Sequence, residues 1–205
     1  MRPTDKTYRP DIDGLRAFAV LAVMGFHAAP SSVRGGFVGV DVFFVISGFL
    51  ITSIILRDLD AEKFSIKNFY VSRICRIFPA LIVMLVATLL IGWLILLPDE
   101  FKELGRHIAA APLFSSNFLL LQESGYFERA AEQKPLLHLW SLSIEEQFYL
   151  LWPVTLIALW KSRLNLVYLI GLIAFVSFEL NIYLMQINPS ANFYIPLTRF
   201  WEILL

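Results

Sequence analysis

Cysteine is almost missing from this chain: Cys75 is the only one among 205 residues, so no intrachain disulfide can brace the fold. Net charge is missing as well. Seventeen Lys and Arg are balanced by seventeen Asp and Glu, which removes the global basic field that nucleic-acid binding would use. Charge of either sign is scarce, at 17% against 58% hydrophobic residues. There is no internal repeat and no low-complexity tract. A cleavable signal peptide is also lacking in the expected form. Arg16 interrupts the first apolar run and Pro30 directly follows the one Ala-x-Ala-like site, so that run is expected to stay as an anchor. What remains is apolar and aromatic. Mean hydropathy is +0.67, with eighteen Phe and five Trp, which suits a polytopic membrane protein with aromatic belts.

The apolar runs set the expected architecture. A first span covers residues 14–29, after a polar N-terminus in which Pro3 and Pro10 discourage helix before Asp11. A second, 37–56, has about the 20 residues needed to cross a bilayer and ends at Arg57. Residues 57–77 form the most basic loop: Arg57, Lys63, Lys67, Arg73 and Arg76 against Asp58, Asp60 and Glu62. The positive-inside rule places this loop, and with it the N-terminus bearing Arg2, Lys6 and Arg9, in the cytoplasm. A third span, 77–97, then runs outward. Residues 108–121 are too short to cross and are broken by Pro112 and Ser115-Ser116-Asn117, so they read as a re-entrant or interfacial piece within an external stretch 99–139. Residues 144–160 lead back to Lys161 and Arg163, and 164–185 run outward again. After a turn at 188–190, Phe193 is expected to begin another helix, which the sequence leaves unfinished at Leu205. The expected fold class is all-α, a multi-pass transmembrane helical bundle of about five spans plus the short segment.

Ionisable groups inside such a bundle are costly and so mark candidate function. Arg16 and His27 are eleven residues apart. At about 100° per residue that is within roughly 20° of three full turns, so both lie on one helix stripe, about 16 Å apart, with Asp13 nearly in line. His27 titrates near neutrality and could take a proton from a hydroxyl; it could also simply bond a neighbouring helix. Asp41, whose face is shared by the small residues Gly48 and Thr52, could orient or balance His27 or Arg16, or serve only packing and pairing with Arg34 or Arg16. Arg73 and Arg76 sit at i, i+3 and make a fork suited to phosphates, or a plain positive-inside anchor. In the stretch from His138 to Tyr149, Ser143 and Glu146 fit a capping box, which leaves Glu145 needing a partner. His138 and Trp140 suit a carbohydrate-contacting surface or an interfacial aromatic belt.

Four blocks occur in order: Asp-Ile-Asp-Gly-Leu-Arg16 with ten residues before His27; Gly-Gly-Phe-Val-Gly-Val-Asp41-Val-Phe-Phe-Val-Ile-Ser-Gly-Phe-Leu; Arg73-x-x-Arg76; and Leu-His138-Leu-Trp140-Ser-Leu-Ser-Ile-Glu145-Glu146-Gln-Phe-Tyr. Together they closely resemble the membrane-bound acyltransferase-3 family, the O-acetylases of bacterial lipopolysaccharide, peptidoglycan and other glycans. The resemblance implies an O-acyltransferase of the bacterial inner membrane, with no permanently bound cofactor and no metal. It uses cytoplasmic acyl-CoA, commonly acetyl-CoA, as co-substrate and an envelope-glycan hydroxyl as acceptor. It further implies that His27 is the essential histidine, that Arg16 belongs to the Arg-x10-His motif and that Arg73 and Arg76 bind the donor. Asp41 joins the catalytic candidates, while His138, Trp140, Glu145 and Glu146 are candidates on the acceptor side. Family members have about ten spans and sometimes a further SGNH-type domain. Residues 1–205 are thus expected to be the N-terminal portion of such a transmembrane domain, cut inside a helix. Two other readings stay open: an inactive membrane fragment, and a transporter whose facing helices carry the charges.

Overall fold

A computed structural model describes residues 9–124, 134–162 and 164–205; Arg2, Lys6 and Arg163 lie outside the described residues. Among the described residues there are helices and no strands, in agreement with the expected class. The helices are α1 (Pro10–Ala28), α2 (Gly39–Asp60), α3 (Ile66–Ile95), α4 (Pro98–Ala110), α5 (Ser116–Glu123), α6 (Leu139–Lys161), α7 (Leu166–Ile187), α8 (Pro189–Tyr194) and α9 (Phe200–Leu204). Three segments are long and apolar enough to cross a membrane: Gly36–Asp60, Ile66–Ile95 and Leu166–Ile187. Helices α1 and α6 occupy the two other expected spans, but Asp11, Asp13 and Arg16 dilute the first, and Glu145, Glu146 and Gln147 the second. In α7 only Ser177 is buried, while Val167, Tyr168 and Phe175 are exposed. An apolar helix with so little protein cover is built to face lipid.

Several boundaries differ from the sequence reading. Pro10 begins α1 rather than preceding it, because proline's missing N–H costs nothing at the first helical position. The basic loop shrinks to 61–65: the Ser65 hydroxyl caps α3 by accepting from the Asn68 N–H, so Arg73 and Arg76 stand on a helix. The capping box at Ser143 is not formed. Helix α6 already begins at Leu139, and the Ser143 hydroxyl donates back to the Leu139 carbonyl at 2.9 Å. The turn at 188–190 instead opens α8, capped by Asn188, and Phe193 lies within that short helix. Pro196 stops the chain again, and the next helix starts at Phe200.

The chain divides into two compact units, residues 1–53 with 202–205, and residues 54–201. In the first, α1 and the segment leading into α2 lie antiparallel at very short range. Gly36 abuts the Ala22 carbonyl and Gly39 the Ala19 carbonyl, where a Cβ would collide with backbone. Gly48 likewise abuts the Ile203 carbonyl of α9, so the small-residue face of α2 does admit another helix.

In the second unit, α4 turns back along α3. Leu81 and Leu85 pack with Leu104, Ala111, Leu136 and Leu139, and Phe114 meets the Phe78 ring edge-on at 5.8 Å. Phe78 is seventeen residues before the end of α3, so the chain runs back beside α3 for about 26 Å at 1.5 Å per residue. It does so through the 3-10 turn Ala111–Leu113 and a left-handed Phe114 (φ 49°, ψ 41°), after which α5 returns. This hairpin is the piece expected at 108–121, and it dips rather than lying along α3's end. Its break is stitched by side chains. The Ser115 hydroxyl donates to the Ala110 carbonyl, the Gln147 amide of α6 donates to the Phe114 carbonyl and to Asn117 Oδ1, and Asn117 donates to the Tyr194 carbonyl. Buried backbone without a helical partner has to be answered in this way.

Candidate functional site

In the first unit, Arg16 and His27 stand on the same unbroken helix, as their spacing requires. Ile12, Arg16, Ala19 and Val23 follow i, i+4, i+7, i+11, and all four are buried or half-buried, so Arg16 belongs to the packed stripe of α1. His27 is exposed in the last turn, with its ring edge-on to Phe26 at 5.5 Å. The antiparallel register, Gly36 on Ala22 and Gly39 on Ala19, carries Asp41 toward the Arg16 end of α1 and away from His27.

In the second unit, a cavity of about 280 Å³ opens between α3, the hairpin tip and α6. Its wall is largely apolar: Ile74, Ile77, Phe78, Leu113, Phe114 and Leu150. Arg73, Glu146, Gln147, Tyr149 and Tyr70 supply the polar groups. The Arg73 guanidinium is half-buried, 5.0 Å from the Tyr149 ring centroid and 5.7 Å from that of Phe69. The Tyr149 hydroxyl in turn donates to Glu145, one helical turn back, and the Tyr70 hydroxyl donates to the Leu150 carbonyl at 2.7 Å. Glu146 is 9% exposed. Among the described residues neither Arg73 nor Glu146 has a hydrogen-bond or ion-pair partner. Leaving polar groups out of water and unbonded is expensive, which makes this cavity the binding-site candidate of the second unit.

The structure therefore brings Glu145 and Glu146, expected on the acceptor side, to Arg73, expected on the donor side. It separates Arg76 from Arg73: Arg76 is exposed and does not line the cavity. Trp140 is 8% exposed, packed on Phe193 at 4.4 Å with the Arg199 guanidinium 5.8 Å from its ring, so little of its face is left for a sugar. His138 is exposed at the start of α6, its carbonyl accepting from the Ser141 hydroxyl. Sequence reasoning did not single out Gln147, Tyr149 or Phe114. A Gln in an apolar helix and an i, i+4 Glu145–Tyr149 pair were the available signals.

It also missed a polar cluster nearer the open end of the hairpin. His107 Nε2 lies 3.0 Å from Glu123, and Lys134 Nζ lies 2.8 Å from Glu123 and 3.9 Å from Glu103. Arg106 approaches Glu123 at 3.7 Å. Burial alone would raise Glu123; the Lys134 hydrogen bond and the charges of His107 and Lys134 outweigh it and hold the carboxyl below the usual glutamate value. Glu103, His107 and Glu123 offer ligand atoms within 4.8 Å of one another, the donor set of a small metal site. The Lys134 ammonium lies against two of these three side chains, Glu123 and Glu103.

Comparison with known proteins decides the family. The acyltransferase-3 profile, described as an acyltransferase domain, matches residues 9–205. The chain belongs to the acyltransferase-3 family. It is 37% identical to the peptidoglycan O-acetyltransferase OatA of Listeria monocytogenes over 97% of its own length and 33% of that protein's. It is 38% identical to YrhL of Bacillus subtilis, provisionally named a peptidoglycan O-acetyltransferase, over 97% of this chain and 32% of that one. A Staphylococcus aureus MSSA476 protein, provisionally named an O-acetyltransferase, is 39% identical over 88% of this chain and 30% of its own. The chain spans about a third of the length of these relatives. No solved structure matches.

Proposed function

We propose that this chain is part of an inner-membrane enzyme that moves an acyl group, acetyl in the simplest case, from acyl-CoA to a hydroxyl of a cell-wall glycan. The observation that carries the reading is an exposed imidazole and an inward guanidinium on one helix of a family member: His27 and Arg16. A thioester is already activated, so what the protein must add is a base and an orientation. His27 takes the proton of the sugar hydroxyl as its oxygen attacks the thioester carbonyl. The C–O ester bond forms, the C–S bond breaks, and the proton passes to the leaving thiolate. Such base catalysis contributes about 10²–10⁴-fold. Asp41 holds the Arg16 guanidinium. Arg73 and Arg76 take the donor from the cytoplasmic side, on which the N-terminus also lies, and the offset of about 16 Å along α1 lets the acceptor approach from the other side. The names of the relatives favour peptidoglycan as the acceptor class.

The test is His27→Ala in the intact protein. Ester-linked acetate on isolated envelope glycan should fall to background while the protein still accumulates in the membrane. Acetate at the wild-type level in a well-expressed variant would remove His27 from the base role.

A further inference from the structure

The cavity beside Arg73 is poorly suited to a phosphate. Among the described residues Arg73 is the one cation that lines it and most of the wall is apolar, so a multiply charged phosphate would be stripped of water there against a single guanidinium. The polar groups facing the cavity pair a hydrogen-bond donor, Arg73, with a carboxyl acceptor, Glu146. Around them the walls are apolar: Ile74, Ile77, Phe78, Leu113, Phe114 and Leu150. The complementary guest is uncharged, narrow and aliphatic, and carries groups that both accept and donate. Secondary amides on a methylene chain meet that description, because each offers a C=O to the guanidinium and an N–H to the carboxyl. At about 280 Å³ the cavity sits just under the ~300–1,000 Å³ range of ligand pockets, so it takes part of a coenzyme-sized molecule, not the whole.

Given the acyl-CoA donor proposed above, on which this step rests, we infer that the cavity between α3, the hairpin tip and α6 receives the pantetheine arm. Arg73 and Glu146 grip its amides and Phe114 closes its floor. The two arginines then divide the donor between them. Arg73, half-buried and laid on Tyr149, holds the arm, while Arg76, exposed and outside the cavity, meets the phosphates. The left-handed backbone at Phe114 fits this role, since a bulky residue is held there only when the surroundings require it. Its ring edge on Phe78 and the Gln147 bond to its carbonyl are those surroundings.

The experiment uses the full-length protein in lipid nanodiscs and measures binding of three probes. These are acetyl-CoA, acetyl-pantetheine (arm without nucleotide) and adenosine 3′,5′-bisphosphate (phosphates without arm). Glu146→Leu and Phe114→Trp should each weaken acetyl-pantetheine at least tenfold and leave the nucleotide within twofold, which also certifies the fold. Glu146→Gln, which keeps an acceptor oxygen, should hold the arm within threefold of wild type. Arg76→Ala should show the reverse selectivity, losing the nucleotide and keeping the arm. Wild-type acetyl-pantetheine binding by both Glu146→Leu and Phe114→Trp, with acetyl-CoA still bound, overturns the inference and spares the donor reading. A wild-type protein that binds none of the three probes overturns both.

Discussion

Glu123 and Glu146 are both carboxyls packed around the α4–α5 hairpin, yet their surroundings are opposite. Glu123 has Lys134 at 2.8 Å, His107 at 3.0 Å and Arg106 at 3.7 Å. Glu146 faces a cavity, with a guanidinium lining the same wall and no bond to it. The first arrangement spends its charge on holding α4, α5 and the Lys134 segment together. The second leaves a guanidinium and a carboxyl partly desolvated and uncommitted, a cost that a fold has no structural reason to keep. Within one unit, then, the number of close charged partners separates a brace from a receptor.

The sharpest way to break this contrast is to remove the best-placed cation, Lys134, from the multiply paired cluster. Lys134→Met leaves Glu123 buried beside too little positive charge, and should cost about 3–5 kcal/mol of stability, the range for breaking a buried pair. Thermal unfolding in detergent measures it, and a shift within error would mean the cluster braces nothing. A smaller effect, and on a different quantity, is expected at the open site. Arg73→Lys keeps the charge but loses the planar group that lies over Tyr149. Acyl-CoA affinity should fall about tenfold, about 1.4 kcal/mol, with the unfolding midpoint nearly unchanged. A stability loss comparable with that of Lys134→Met would erase the distinction between the clusters. The smallest effect is the pH dependence. Because the folded-state value of Glu123 lies below its usual 4.5, its contribution is fully present above that value. It is lost as pH falls below 4.5 and through the lowered folded value. Melting curves between pH 6 and about 3 should decline with acid in the wild type and less steeply in Glu123→Gln. Parallel curves would show that the pairing adds nothing to folding.

How much of this was legible in the sequence follows the range of each interaction. Helices α2, α3 and α7 announce themselves as apolar runs, and the Arg16–His27 stripe is pure helical geometry. Pro112 with the Ser-Ser-Asn that follows marked the hairpin's break, but its depth is set by Phe78, thirty-six residues from Phe114. The meeting of Arg73 with Glu146 and of His107 with Glu123 are tertiary facts with no local signature. The capping box at Ser143 was misread for a definable reason. Ser-x-x-Glu is equally at home inside a helix when the residues before it are apolar, and Leu139 and Trp140 are buried. Here packing set the start of α6 where local propensity left it open.

The stitched break at Phe114 also bears on how the protein is made. Its carbonyl is answered by the Gln147 amide, which comes 33 residues later in the chain. On a growing polypeptide, the bend therefore exists for some time before the side chain that satisfies it has been synthesised. A helix closes its own hydrogen bonds as it emerges, but this hairpin cannot. It is completed only once α6 has been delivered beside it, so α6 is the element whose arrival fixes the order of assembly.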